Sequence, residues 1–194
     1  GFTDSSKKSL KNKLQRWGKY NMIPDTKYSW KFGTVRQAVK IIRKEKIDLI
    51  FSTSPPQTNH IIARKAARKT GIPWVADFRD PWTDAYWIND PETLRWRVIH
   101  AIDKRIEGKT INAMSAMTTT GPSMVEIMQN KTKVPVTEIT NGFDDACFEG
   151  LHYTANEKFR ITFAGSLSQQ HSPKCFFDAI TTLCSNSDFA NRFE

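Results

Sequence analysis

The side chains best suited to chemistry lie between Asp77 and Trp82. Asp77 and Asp80 flank Arg79, and Trp82 follows two positions later. Two readings of this cluster stand side by side. Arg79 can grip a phosphate as a planar fork, while Asp80 orients a sugar hydroxyl or takes its proton. Equally, Arg79 and Asp80 can form an internal pair that only pins a loop. Trp82, Tyr86 and Trp87 offer flat apolar faces on which a sugar ring or lipid tail can rest. Other chemistries find little footing. No GxGxxG, P-loop, GxSxG or HExxH pattern occurs, so the common dinucleotide, ATP, hydrolase and zinc-protease fingerprints have no support. His60, His100, His152 and His171 are scattered without metal-ligand spacing and read as surface or capping histidines. Cys147, Cys175 and Cys184 are odd in number and form no CxxC, which argues against a disulfide framework and for a reducing cytoplasm.

The elements that must position this cluster follow from hydrophobic spacing. Val35, Val39 and Ile42 recur at helical intervals, with Arg43, Lys44 and Lys46 near the end, where cations suit the helix dipole. A β-branched run at 47–51 predicts a strand, broken by the polar and proline residues at 52–56. Residues 57–69 predict a helix with Ile61, Ile62, Ala66 and Ala67 inward and Gly71 as its stop. A strand at 73–78 then leads straight into Arg79. Residues 82–90 read as an aromatic loop. Pro91 and Glu92 open a long helix with an apolar stripe of Leu94, Val98, Ile102 and Ile106. Strands at 116–120 and 136–140 bracket a helix opened by Gly121, Pro122 and Ser123, and a further strand at 159–165 precedes a helix at 173–183. Strands alternating with helices predict an α/β fold: a Rossmann-like parallel sheet flanked by helices. In such sheets ligands bind beyond the carboxyl ends of the strands. The segments to watch are therefore 52–56, 79–82, 121–123, 141–144 and 165–168. Gly165, at one such end, would let a ligand approach the backbone closely.

Composition narrows the class further. The chain has 194 residues, 39% hydrophobic and 25% charged, enough apolar content for a core. No apolar run reaches the ~18–20 residues a membrane-spanning helix needs. The net charge of +9 is unevenly placed: up to Lys46 the chain carries +10, and the remainder carries −1. This basic arm includes Lys11, Lys13, Arg16, Trp17 and Lys19. Basic residues mixed with aromatics suit an anionic membrane surface, a lipid phosphate or nucleic acid. They suit equally a solvated helix whose aromatics pack on the body.

Asp48-Leu49-Ile50-Phe51-Ser52-Thr53-Ser54-Pro55-Pro56, followed by Gly71-Ile72-Pro73-Trp74-Val75-Ala76-Asp77-Phe78-Arg79-Asp80-Pro81-Trp82, resembles family 4 glycosyltransferases of the two-domain GT-B fold. The nearest likeness is to a bacterial polysaccharide-synthesis subgroup with an "ADFRDPW"-like loop. Ile139-Thr140-Asn141-Gly142-Phe143-Asp144 with Phe148, and Phe163-Ala164-Gly165-Ser166-Leu167, are similar to two later motifs of that family. Many members carry His-Asp where this chain has Arg79-Asp80, so no histidine role transfers to the acceptor site.

The resemblance implies a retaining enzyme of the hexosyltransferase type, which moves a sugar from a nucleotide-sugar to a saccharide or lipid-linked acceptor in cell-envelope polysaccharide synthesis. It implies a basic arm and first helix over 1–46, an N-terminal acceptor domain over 47–148, a linker over 149–158 and the beginning of a donor domain over 159–194. The chain is then an internal fragment, inactive alone. Arg79 and Asp80 become the catalytic pair, and Ser54, Pro55, Trp82 and Ser123 the acceptor-binding set. Asn141, Gly165 and Ser166 become donor-binding. Lys11, Lys13, Arg16, Trp17 and Lys19 would face the membrane, where each basic residue contributes about 1 kcal/mol. No cofactor or metal is expected, because basic side chains and helix dipoles stabilise the leaving diphosphate in such enzymes. The expected location is the cytoplasm, peripherally at the inner face of the membrane. The competing expectation is a non-catalytic Rossmann-like module that binds anionic membrane or nucleic acid through its arm. For nucleic acid, the body offers no matching motif.

Overall fold

The computed structural model describes residues 23–85, 93–152, 154–165 and 172–193. They fall into two compact units, 1–141 and 142–194.

The first unit is built on four parallel strands in the order β1 (Ile50–Ser54), β2 (Trp74–Phe78), β3 (Ala116–Thr119) and β4 (Val136–Glu138). Helix α1 (Lys31–Glu45) precedes β1, and α2 (Thr58–Thr70), α3 (Leu94–Ile111) and α4 (Pro122–Gln129) join the strands. This is the expected Rossmann-like α/β sheet flanked by helices. Helix α2 ends as its sequence predicts: Gly71 adopts φ +79° and donates its N–H to the Ala67 carbonyl. Glycine occupies that left-handed position without steric penalty.

Each strand follows its neighbour in sequence, and parallel crossovers are right-handed, so the connecting helices gather on one face. Burial agrees. Trp74, Ala76 and Phe78 of β2 and Met117 of β3 are enclosed, in one cluster with Ile61, Ala63, Ile111, Met114 and Met128. Burying the Phe, Ile and Met side chains among them contributes about 1.5–3 kcal/mol each. Among the described residues the opposite face is open: Phe51 is 62% exposed, and Val75, Asp77 and Thr118 are half-buried.

Three expectations are corrected. First, β1 runs from Ile50 to Ser54, so residues read as its terminating loop lie inside the strand. Their polarity is matched by partners. Ser52 Oγ accepts from Trp74 Nε1 at 2.7 Å and contacts His60 Nδ1 at 2.8 Å, and Thr53 Oγ1 donates to Asp77 Oδ2 at 2.8 Å. Second, of the expected apolar stripe of α3 only Ile106 packs against the core. Leu94, Val98 and Ile102 are exposed, and the buried positions are Glu107, Thr110 and Ile111. Polar groups can face inward there because the β2–α3 loop supplies donors to them.

The third correction lies in the second unit. No strand forms over 159–165. Phe159 alone makes a parallel bridge, to Phe193, donating its N–H to the Arg192 carbonyl. A β-prone run stays irregular where no neighbouring strand takes up its backbone groups. Among the described residues the unit's α-helices are α5 (Lys174–Leu183), as expected, and the unforeseen α6 (Ser187–Arg192). Asn186 starts α6 by accepting from the N–H groups of Asp188 and Phe189.

Candidate functional site

The register places Ser54, Phe78 and Thr119 abreast at the carboxyl ends of β1, β2 and β3. The segments leaving these ends are stitched together. Arg79 N–H donates to the Ser54 carbonyl at 3.3 Å, Thr120 Oγ1 to the Arg79 carbonyl at 3.4 Å, and Ile139 N–H to the Thr119 carbonyl at 2.8 Å. At this edge the Arg79 side chain is exposed and Asp80 is half-buried. Pro55 is exposed at the neighbouring strand end, Ser123 is exposed in the first turn of α4, and Asn141 is exposed beyond β4.

Asp77 does not join them. It sits on the open face of the sheet, where Thr53 Oγ1 and Thr118 Oγ1 each donate to its carboxylate at 2.8 Å. It thus ties three strands together. Arg79 forms no ion pair with Asp77 or Asp80 among the described residues, so an Arg–Asp pair is not what pins the loop.

The loop is pinned by the residues that follow. Trp82 is 1% exposed, and its Nε1–H donates to Asp103 Oδ1 at 3.0 Å. The Thr83 hydroxyl donates to Glu107 Oε2. Lys131 Nζ lies 2.8 Å from Glu107 Oε1 and also pairs with Asp84. Three consecutive residues are therefore anchored to α3 and to Lys131. This corrects the role expected of Trp82: its ring fills the core and has no open face for a sugar. Ser54 is likewise buried, with its hydroxyl enclosed and unpartnered, so it presents no side chain to an acceptor. Tyr86 and Trp87 lie outside the described residues.

Asp103, Glu107 and Lys131 escaped the sequence reading. The available signal was a pair of acids four residues apart in a helix whose other charged residues (Arg95, Arg97, Lys104, Arg105 and Lys109) are basic. Asp103 is strongly perturbed. Burial pushes its pKa up to about 7; the Trp82 hydrogen bond opposes this, and the nearby Glu107 and Asp25 carboxylates add to it.

His60 is a further correction, being a core residue rather than a surface or capping one. Its ring is enclosed 4.4 Å from that of Phe78, and burial lowers its pKa to about 3 against a weaker upward pull from Asp77. The neutral ring uses Nδ1 toward Ser52, in whichever direction that bond's proton lies, and Nε2 has no partner. His100 instead stacks on Trp96 with 4.4 Å between ring centroids, and His152 is exposed. His171 lies outside the described residues. Beside His60, Asp25 occupies the start of α2. Its carboxylate accepts from Thr58 N–H at 2.7 Å and from Thr58 Oγ1 at 2.9 Å. A carboxylate there satisfies a free N–H and complements the helix dipole.

In the second unit, the glycine at 165 makes room for its own chain, since a Cβ there would lie 2.9 Å from Phe163 Cζ. Ser166 lies outside the described residues, as do Lys11, Lys13, Arg16, Trp17 and Lys19. Among the described residues, no group of three or more His, Cys, Asp or Glu side chains could hold a metal ion, and no helix is long and apolar enough to cross a membrane.

With a parallel sheet and an Arg-Asp strand-end loop in place, comparison with known families is decisive. The family model described as Glycosyltransferase Family 4 matches residues 2–146. The chain belongs to glycosyltransferase family 4. The matched stretch spans all four strands and the Arg79–Asp80 loop of this family 4 chain, and includes Asn141; Gly165 lies beyond it. No curated protein and no solved structure matches the chain significantly.

Proposed function

We propose that this chain supplies the acceptor side of a retaining, GT-B-type glycosyltransferase of cell-envelope polysaccharide synthesis, acting within a longer polypeptide. One observation carries the reading: the family match coincides with the strand-end edge where Arg79 and Asp80 stand without pairing to each other. Among the described residues neither side chain forms a hydrogen bond or ion pair, which leaves both able to meet a ligand.

In this reading a saccharide or lipid-linked acceptor lies across the edge formed by Pro55, Arg79, Asp80 and Ser123. Asp80 accepts a hydrogen bond from the attacking hydroxyl and fixes its direction. Arg79 offers its planar fork to negative charge on the acceptor or on the departing diphosphate. The anchors at Trp82, Thr83 and Asp84 hold the loop so that neither group has to be ordered during the reaction. Asn141, Gly165 and Ser166 contact the nucleotide-sugar, whose transfer proceeds without a metal. The basic arm with Lys11, Lys13, Arg16, Trp17 and Lys19 holds the protein at the inner face of an anionic membrane. Hexosyl transfer is the expected type.

The test is a screen of UDP- and GDP-linked hexoses with the longer polypeptide, reading sugar release and transfer, alongside its Asp80→Asn variant. Turnover of a donor that falls at least about 100-fold in the variant supports the reading. Transfer by the 194-residue chain alone overturns the claim that it depends on further sequence.

A further inference from the structure

The first unit carries a concave site at the end of its sheet opposite the Arg79–Asp80 loop. The carboxyl end of α2 and the last turn of α3 border an open cleft of about 570 Å³. The cleft is next to the amino ends of β2 and β3, because Gly71 and Ile72 on its wall precede β2 and Ala113 precedes β3. Four cationic side chains line it (Arg64, Lys65, Arg68 and Lys109), and no carboxylate does.

Helix dipoles favour a cation in the last turn, which accounts for Arg68 and Lys109. They do not account for Arg64 and Lys65, one turn further in, or for the convergence of all four on one hollow. Arg64 is half-buried and donates from Nη1 to Thr110 Oγ1 at 3.0 Å, which fixes one side of its guanidinium. None of the four makes a salt bridge among the described residues. Burial and the neighbouring Arg68 charge both push Arg64 below its ordinary pKa, with Tyr28 opposing weakly. Like charges so placed repel one another unless an anion sits between them.

We propose that this cleft binds a phosphate-bearing ligand. A carboxylate brings one negative charge, whereas a phosphate monoester brings about −1.5 to −2 and three acceptor oxygens. That matches a four-cation site better. Arg forks engage phosphate bidentately, and Lys adds point charge. The volume exceeds what an inorganic ion fills and lies in the small-molecule range. Ala67, Ile72 and Ala113 provide a less polar wall for the group that the phosphate carries. The source is a soluble phosphate compound or the headgroup of an anionic lipid. The site is independent of the strand-end edge, so it stands or falls apart from the transferase reading.

The test uses the 194-residue chain with two probes. Inorganic pyrophosphate is titrated while amide NMR shifts are followed. Vesicles of 30% phosphatidylglycerol in phosphatidylcholine are compared with pure phosphatidylcholine in co-sedimentation. Each is repeated with Lys65→Gln/Lys109→Gln and with Arg68→Gln. Arg68 is exposed and its side chain makes no hydrogen bond among the described residues, so its variant keeps the fold even if the double variant does not. Shifts at Gly71, Ile72 and Ala113 on adding pyrophosphate, with affinity lowered about tenfold by Arg68→Gln and by 300 mM salt, assign a soluble phosphate ligand. Binding to anionic vesicles alone, lowered similarly by the variants, assigns a lipid headgroup. Binding to neither probe, or binding that the variants leave unchanged, overturns the proposal. The second of these outcomes would trace any vesicle binding to the basic arm instead.

Discussion

Acidification should destabilise the first unit through His60, by an amount that follows from its burial. The ring is neutral in the folded protein down to a pKa of about 3, against an ordinary value of 6.5. In the unfolded chain the same ring takes a proton below about 6.5. Between these values the unfolded state binds one more proton, so stability falls as pH falls, by about 1.4 kcal/mol per unit. Over the whole window the loss approaches about 5 kcal/mol, and between pH 7 and 4.5 it is roughly 2–3 kcal/mol. His60→Leu removes this term alone. The variant loses the contact with Ser52, but Ser52 still accepts the Trp74 indole N–H, and an unpartnered buried nitrogen disappears. At pH 7 the two effects offset each other to within about 1 kcal/mol. Urea unfolding at pH 7 and pH 4.5, followed by far-UV circular dichroism, measures the difference. The original chain should lose roughly 2–3 kcal/mol more than the variant. Equal losses, or an imidazole NMR titration of His60 near 6.5, would refute the buried-neutral assignment.

Asp103 works with the opposite sign. Its folded pKa of about 7 lies above the ordinary carboxyl value, so the burden of ionising it appears as pH rises through that range. Asp103→Asn keeps an oxygen for Trp82 and should raise stability by about 1–2 kcal/mol more at pH 8 than at pH 4, after allowance for screening at its open side; urea midpoints at the two pH values check this. Glu107→Ala strands the Thr83 hydroxyl and half of Lys131's pairing, and should cost about 3 kcal/mol, read from the same unfolding curves. Asp25→Ala removes the acceptor from Thr58 and should cost about 1–2 kcal/mol, with faster amide exchange confined at first to the start of α2.

Much of the fold was legible because burial imposes period and punctuation. Gly71 marked a helix end, and the β2 run at Trp74–Phe78 alternates as its burial requires. Two features were not legible, for one physical reason. Ser52 and Thr53 look like loop residues until Trp74, His60 and Asp77 are seen supplying their hydrogen bonds. Likewise, the inward face of α3 looks wrong until Trp82 and Thr83 are seen donating to Asp103 and Glu107. A polar side chain's compatibility with the interior depends on a partner distant in sequence, which local pattern does not carry. The strand-end cluster was half legible. Arg79 and Asp80 do stand at the sheet edge, but Trp82, judged by its flat ring, serves as a core anchor, and Asp77 serves as a tie across the sheet.

Sugar transfer by the longer polypeptide proposed above, with and without Asp80→Asn, tests the role of that edge most directly. The expected result is turnover of at least one nucleotide-sugar by the unaltered enzyme, and kcat lowered at least about 100-fold in the variant with its circular dichroism and urea midpoint unchanged. Equal kcat in the two proteins, or no turnover of any donor, would contradict a catalytic acceptor site at Arg79 and Asp80.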